Sequence, residues 1–533
     1  MKRLMLLGDE AIAKAALDAG LSGMYAYPGT PSTEIMEYIQ ASPEAAERNV
    51  HRDWSANEKT AMEAALGMSY AGKRAMVAMK HVGLNVAADG FINAAVTGVN
   101  GGLIVVSADD PSMHSSQNEQ DSRFYSKFAT VPCFEPSNQQ EAYEMVFDAF
   151  ETSEKYKVPV LLRITTRLAH SRANVSVRES LPQKNISLPA DPLQFVLLPA
   201  VARKRYHNLL GVYEDLKSES RISRYNSYKD GINRETGVIA CGIAYNYLLE
   251  NIGYRNDIPV LKISAYPFSP DLIKDIVYRC KSVLVLEEGA PMIEESLRGI
   301  LDNGVKVYGR LDGTVPREGE LNPAIVAKAL GMPADEGMPV PSVVRMRPPS
   351  FCKGCGHADV FNALNDALES YGPGRVFADI GCYTLGALPP YNAINSCVDM
   401  GASVTMAIGA ADAGLFPSVA VIGDSTFTHS GMTGLLDAVS KNSPVTIIIS
   451  DNSTTGMTGG QLSKATGRLV QICTGIGVEP GHIRVITPLR KYHEENLLVM
   501  KEEFEYRGVS VIIAARECIQ TATRKKKEAT ANS

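Results

Sequence analysis

The chain has 533 residues, 45% hydrophobic and 21% charged, with a formal net charge of −6. At roughly 100–200 residues per domain, this length makes about three domains, with cores large enough to need no disulfide or structural metal. The acidic balance leaves no electrostatic footprint for nucleic acid, and no apolar run approaches the ~20 residues of a membrane helix. The opening Met1-Lys2-Arg3-Leu4-Met5-Leu6-Leu7-Gly8 begins like a secretory signal. Asp9 and Glu10 end the apolar run too early, so the segment reads as a first strand and a cytoplasmic location follows by default. In a reducing compartment the nine cysteines form no disulfide framework, and most, such as Cys241, read as buried core thiols.

Residues 1–185 alternate short apolar runs with helical stretches. Val105-Val106 and the run 158–162 read as buried strands that each follow a helix, the pattern of a parallel sheet with helices on both faces. Between 50 and 72, Glu58, Ala61, Ala65 and Gly67 read as one helix stripe with Glu58 in the first turn. A carboxylate there also suits the helix macrodipole. Residues 186–232 turn polar and basic, with Arg203-Lys204-Arg205, and read as a connecting segment with some helix and a solvated face. Residues 233–340 are again α/β, with strands at 237–240 and 282–286 and a Pro- and Met-rich linker over 332–350. A third α/β block covers 350–520, with strands at 419–422, 445–449 and 509–514. The tail 521–533 carries Arg524-Lys525-Lys526-Lys527 and is expected to be disordered. There is no short tandem repeat, and the first and third blocks are built alike.

The strongest motif is Gly423-Asp424-Ser425, followed 28 positions after Asp424 by Asn452. Each part comes after a strand-like run, so both lie at the carboxyl ends of parallel strands, where α/β folds bind ligands. Asp and Asn oxygens are hard donors suited to Mg²⁺, which completes its octahedron with phosphates. Gly423, Gly431 and Gly434 allow close backbone approach to a diphosphate. Alone, a strand-end Gly-Asp-Ser is often only a helix cap. With the downstream Asn, it resembles the thiamine diphosphate motif, in which Asp424, Asn452 and the carbonyl of Thr454 bind Mg²⁺. That resemblance implies a second half-site, a carboxylate beside the cofactor's aminopyrimidine. Glu58 matches it, with Glu63 as the fallback.

Further segments narrow the resemblance. Tyr27-Pro28-Gly29-Thr30-Pro31-Ser32-Thr33-Glu34 is similar to a Tyr-Pro-x-Thr-Pro-Ser segment of 2-oxoacid:ferredoxin oxidoreductases. The runs 108–123, 379–387 and 423–431 resemble the arylpyruvate branch, the alpha subunits of indolepyruvate:ferredoxin oxidoreductases, and the similarity spans residues 1 to about 520. It implies a thiamine diphosphate-binding fold: a pyrimidine-binding domain over 1–185, a connecting segment over 186–232, a transketolase C-terminal-like domain and linker over 233–340, and a diphosphate-binding domain over 350–520. It implies Gly381, Tyr383, Gly423 and Ser425 at the cofactor. It also implies that Thr30 and Arg123 hold the substrate carboxylate, an Arg–carboxylate fork suiting a 2-oxo acid. The plainer readings stay open: a turn or cap residue for Thr30, and coenzyme A phosphates or a neighbouring chain for Arg123. His114 is an acid or base candidate, although a lone His is more often structural.

Oxidative decarboxylation must also remove two electrons. Cys352-Lys353-Gly354-Cys355-Gly356-His357, Gly381-Cys382 and Cys518 resemble the ligand set of the cluster that ferredoxin-linked relatives carry beside the thiamine. The resemblance thus implies one [4Fe–4S] cluster on Cys352, Cys355, Cys382 and Cys518, with Cys473 as a substitute. A zinc site using His357 and a site without metal are the alternatives. Family alpha subunits often end in Cys-rich ferredoxin-like runs that this sequence lacks. The resemblance therefore leaves electron exit to a partner chain or to the cluster itself. The expected reaction converts an arylpyruvate and coenzyme A to an acyl-CoA, with ferredoxin or a similar acceptor and a beta subunit in a hetero-oligomer. A non-redox thiamine decarboxylase or carboligase and a catalytically silent scaffold are the rivals.

Overall fold

In the computed structural model of the chain, the described residues are 2–190, 194–253, 257–298, 305–334, 337–345, 350–397 and 399–531. They divide into two compact units, Met1–Pro339 and Val340–Ser533. Of the linker expected over 332–350, residues 335–336 and 346–349 lie outside the described residues, as do 532–533 of the tail.

The first unit holds two sheets. The larger has seven strands in the order Ala265–Tyr266, Cys133–Phe134, Val160–Thr165, Leu103–Asp109, Ala75–Lys80, Gly23–Ala26, His51–Trp54. All pairings are parallel except that of Ala265–Tyr266. Its inner strands read as unbroken apolar runs because helices cover both faces, and every residue of Leu103–Asp109 and Ala75–Lys80 is buried. Asn caps start two of its helices: Asn57 Oδ1 accepts from Thr60 N at 2.8 Å, and Asn138 Oδ1 from Glu141 N at 2.9 Å. The second sheet runs Lys306–Tyr308, Ser282–Leu286, Thr236–Cys241, Val260–Ile263, Ser227–Lys229, with only the last pairing antiparallel. Met5 and its neighbours do form the expected first strand, Arg3–Leu7, but it pairs antiparallel with Arg172–Ser176 outside both large sheets.

Two edge strands differ from the sequence expectation. Ser227–Lys229 belongs to the second sheet although it lies in the segment read as a connector, and Ala265–Tyr266 leaves the middle block to extend the first sheet. The connector itself carries a 22-residue helix, Pro199–Ser220.

The second unit is built on a six-stranded parallel sheet, Ser396–Cys397, Val376–Ala378, Ser418–Gly423, Val445–Asp451, Ser510–Ala515, Ile483–Ile486. The tail expected to be disordered is helical over Ile519–Ala531. Its basic side chains have local partners that hold it: Arg524 donates to the Gly459 carbonyl at 3.1 Å, and Lys525 pairs with Glu517 at 2.6 Å.

Candidate active site

In the second unit, Asp424 immediately follows the strand Ser418–Gly423 and opens a helical segment that passes through a π-helical turn, Phe427–Gly431. Such turns concentrate at functional sites. Asp424 is 2% exposed, and its Oδ2 has no hydrogen-bond partner among the described residues. Burial, then the charge of Asp451, pushes its carboxyl up to about 7 against hydrogen bonds from Ser463 and the Ser425 and Asn452 backbones. A buried carboxylate oxygen with nothing to bind is costly unless a cation meets it. Asn452 follows the neighbouring strand Val445–Asp451, and its Oδ1 accepts from Thr454 N at 3.1 Å. The donor set fits Mg²⁺: one carboxylate, one amide and a backbone carbonyl at Thr454.

The glycines around this point are explained by Tyr383. A Cβ on Gly381 would lie 2.3 Å from its ring, and one on Gly423 2.7 Å. The ring is fully buried, and its hydroxyl donates to Asp379. Burial raises the Asp379 carboxyl to about 6, although Ser403 Oγ donates to it at 2.6 Å. Ser425 Oγ lies 2.9 Å from Thr455 Oγ1. The structure thus gathers Gly381, Tyr383, Gly423, Asp424, Ser425, Asn452 and Thr454 at the carboxyl end of one sheet. It adds Asp379, which opens the run 379–387, and Ser403 and Ser463, which carry no sequence signal of their own.

Beside them lies a cavity of about 110 Å³ lined by Cys352, Cys355, Cys382, Cys518, His357 and Asn452, among others. Gly354, at φ +81°, makes the left-handed turn that closes Cys355 N on Cys352 O at 2.9 Å. A Cβ on Gly456 would come 3.0 Å from Cys382 Sγ. Burial, then proximity to Cys355, Cys518 and Cys352, pushes the Cys382 thiol up to about 12, as expected of thiols gathered around one space. A tetrahedral zinc with ~2.3 Å bonds requires its sulfurs within about 4 Å of each other. Among the described residues, no three of these thiols and His357 bring their ligand atoms within 4.8 Å of one another. The four thiols ring a space instead of converging on a point, which fits a multi-atom cluster. Burial lowers His357 to about 4, and its Nε2 sits 3.4 Å from Asn452 Nδ2. Cys473, the substitute ligand, is fully buried within the helix Leu469–Ile476 and does not line the cavity.

In the first unit, the carboxyl ends of Gly23–Ala26, His51–Trp54, Ala75–Lys80 and Leu103–Asp109 share one rim, because these strands pair in parallel. Glu58 lies on this rim, 6% exposed, in the first turn of the helix Glu58–Tyr70. Ala61 and Ala65 are buried on its stripe. Gly67 is exposed, since nine residues make two and a half turns and put it on the opposite face. The fallback Glu63 is exposed and pairs with Lys59. Thr30 is half-buried, and its carbonyl accepts from Ser115 Oγ at 3.2 Å. Lys80 closes its strand and donates to Ser115 O at 2.6 Å and Ser115 Oγ at 3.2 Å.

Arg123 does not present the expected fork. It is fully buried and pairs with Asp121 at 2.6 Å and Glu287 at 3.0 Å. Its remaining donors face Tyr266 Oη and the carbonyls of Glu288 and Ala290. Sequence cannot show that a surface-type residue will be enclosed by carboxylates from distant segments. His114 is half-exposed and pairs with Glu320, which also holds Arg167.

Comparison with known proteins agrees with this layout. The profile "Pyruvate flavodoxin/ferredoxin oxidoreductase, thiamine diP-bdg" matches residues 14–199, and "Thiamine pyrophosphate enzyme, C-terminal TPP binding domain" matches residues 379–512. The indolepyruvate oxidoreductase subunit IorA of Archaeoglobus fulgidus is 38% identical over 97% of this chain and 86% of its own length. IorA of Methanothermobacter thermautotrophicus is 38% identical over 97% of this chain and 87% of its own. A 2-oxoglutarate:ferredoxin oxidoreductase structure from Magnetococcus marinus, with 2-oxoglutarate, coenzyme A and succinyl-CoA bound, shares the fold. Its TM-score is 0.50 at 15% identity, covering 62% of this chain and 65% of that one. Fold and site define a thiamine diphosphate-dependent 2-oxo acid oxidoreductase. Within that class, the chain belongs to the indolepyruvate oxidoreductase subunit IorA family.

Proposed function

We propose that this chain is the alpha subunit of an enzyme that oxidatively decarboxylates arylpyruvates such as indolepyruvate. The 2-oxo acid and coenzyme A give the acyl-CoA, carbon dioxide, one proton and two electrons. One observation carries the reading: Asn452 both lines the four-thiol cavity and donates its backbone N–H to Asp424, whose second oxygen is buried without a partner among the described residues. Oxygen donors suited to a divalent cation and a cavity ringed by four thiols thus meet at one residue.

Asp424, Asn452 and Thr454 would hold Mg²⁺ and, through it, the cofactor diphosphate. Thiamine diphosphate supplies an electron sink for the bond that breaks as carbon dioxide leaves. Glu58 would exchange a proton with the cofactor's aminopyrimidine, and its burial would keep that exchange away from water. Cys352, Cys355, Cys382 and Cys518 would hold a [4Fe–4S] cluster that takes electrons one at a time. Ferredoxin or a similar carrier is the acceptor, and a beta subunit completes a hetero-oligomer. Nine cysteines without a disulfide suit a cytoplasmic location, and among the described residues no helix is long and apolar enough to cross a membrane.

The test is product analysis. The assembled enzyme, given indolepyruvate, coenzyme A and a one-electron dye, should release carbon dioxide and acyl-CoA and reduce two equivalents of dye. Aldehyde or acyloin formed without dye reduction would assign it to the non-redox decarboxylases.

A further inference from the structure

The enclosure of Arg123 leaves the expected carboxylate receptor on the first unit's rim without its cation, and another residue there has the attributes of one. Lys80 is the last residue of the strand Ala75–Lys80 and is 8% exposed. Its ammonium makes two hydrogen bonds, both to the neutral oxygens of Ser115, and no ion pair among the described residues. One of its three donors is therefore uncommitted. Ser115 in turn donates to the Thr30 carbonyl, so strand end, loop and the Tyr27–Glu34 turn are joined through one hydroxyl. His81, next in sequence and 1% exposed, has an Nδ1 without a hydrogen-bond partner, while its Nε2 sits 3.3 Å from Asn118 Oδ1. Two residues further, Gly83 packs directly against Glu58: a Cβ there would lie 2.6 Å from the Glu58 Cγ and Oε1. A buried cation with a spare donor and an unsatisfied imidazole nitrogen thus stand on one helix N-terminus beside the activating carboxylate. Asp110 supplies only an indirect counter-charge, its Oδ2 lying 3.3 Å from the Ser115 hydroxyl that Lys80 contacts, so a direct anionic partner is left for a ligand to provide.

Resting on the function proposed above, we propose that Lys80 receives the carboxylate of the 2-oxo acid, with His81 completing the polar pocket beside Glu58. Burial lowers the Lys80 ammonium to about 8 against the opposing pull of Asp110, so it remains mostly cationic near neutrality. A compact ammonium differs from an Arg fork in binding as a point charge.

The experiment uses the assembled enzyme and compares wild type, Lys80→Gln and Lys80→Arg with indolepyruvate and with its uncharged methyl ester as competitor. Lys80→Gln should raise the KM for indolepyruvate at least tenfold while thiamine diphosphate affinity stays within twofold, and Lys80→Arg should recover part of the loss. The preference for acid over ester should collapse in Lys80→Gln. Unchanged KM and unchanged acid-to-ester preference in a turning-over Lys80→Gln enzyme would overturn the assignment while leaving the function intact. If Lys80→Gln does not fold, the acid-to-ester preference of Lys80→Arg decides, because a purely structural lysine leaves that ratio at the wild-type value. Wild type without arylpyruvate turnover would sink the functional reading instead.

Discussion

At Gly83 the chain has no room for a side chain, because the Glu58 carboxylate already fills the space a Cβ would take. Gly83→Ala should displace that carboxylate and lower kcat by about 10²-fold, as misplacement of a catalytic group by ~1 Å does, with the melting temperature nearly unchanged. Glu58→Gln keeps the shape and removes the proton exchange. It should cost about 10²–10⁴ in kcat while thiamine diphosphate still binds. Equal turnover of wild type and Glu58→Gln in steady-state assays would remove Glu58 from the mechanism. Cys382→Ser should abolish the iron of the purified chain without unfolding it. Cys473→Ser should leave iron content unchanged, because that thiol lies in the apolar core and not on the cavity.

At the scale of elements, the central strands were legible because strands covered on both faces must be apolar throughout. The runs at 282–286, 419–422 and 445–449 each lie within an observed strand. The short edge strands Ser227–Lys229 and Ala265–Tyr266 escaped notice, since three or two residues at a sheet edge leave no periodicity. A run of positive charge at a chain end speaks against a helix on sequence alone, but here it is met by Glu517 and a backbone carbonyl. One inter-element contact makes a pH prediction. Arg74, ahead of the strand Ala75–Lys80, grips Glu154 of the helix Gln139–Tyr156 through two bonds of 2.8 Å, and Lys184 adds a third at 2.7 Å. Burial would raise the Glu154 carboxyl, but these partners outweigh it and pull it down to about 2. A depressed carboxylate stabilises the fold fully above its unfolded value, near 4.5, and that contribution is lost as pH falls toward 2. Glu154→Gln should therefore remove about 1–2 kcal/mol at neutral pH once solvent screening of this partly exposed group is allowed for, and flatten the acid side of the stability curve. Urea melts between pH 2 and 7 check both, and parallel curves for mutant and wild type would refute the pairing.

Across the whole chain, the cofactor motif and the cysteine set could be read because each is a fixed residue type at a strand end. The interior of the first unit could not be. Arg123 and Arg163 lie fully buried among Asp109, Asp121, Glu135 and Glu287, joining segments up to 167 positions apart in sequence. Only the fold reveals that such an arginine belongs to a buried ion network. Arg123→Ala should accordingly destabilise the chain by about 3–5 kcal/mol, seen as an early unfolding transition. What enzyme remains folded should keep its substrate KM. A raised KM at unchanged stability would restore Arg123 to the substrate site.

If the four thiols beside the cofactor site hold a redox cluster, metal analysis of the purified enzyme will show it. Iron and acid-labile sulfide should be measured on enzyme purified under strict anaerobiosis. About four of each per chain are expected, lost together in Cys382→Ser. Near-zero iron in enzyme that still binds thiamine diphosphate would contradict it.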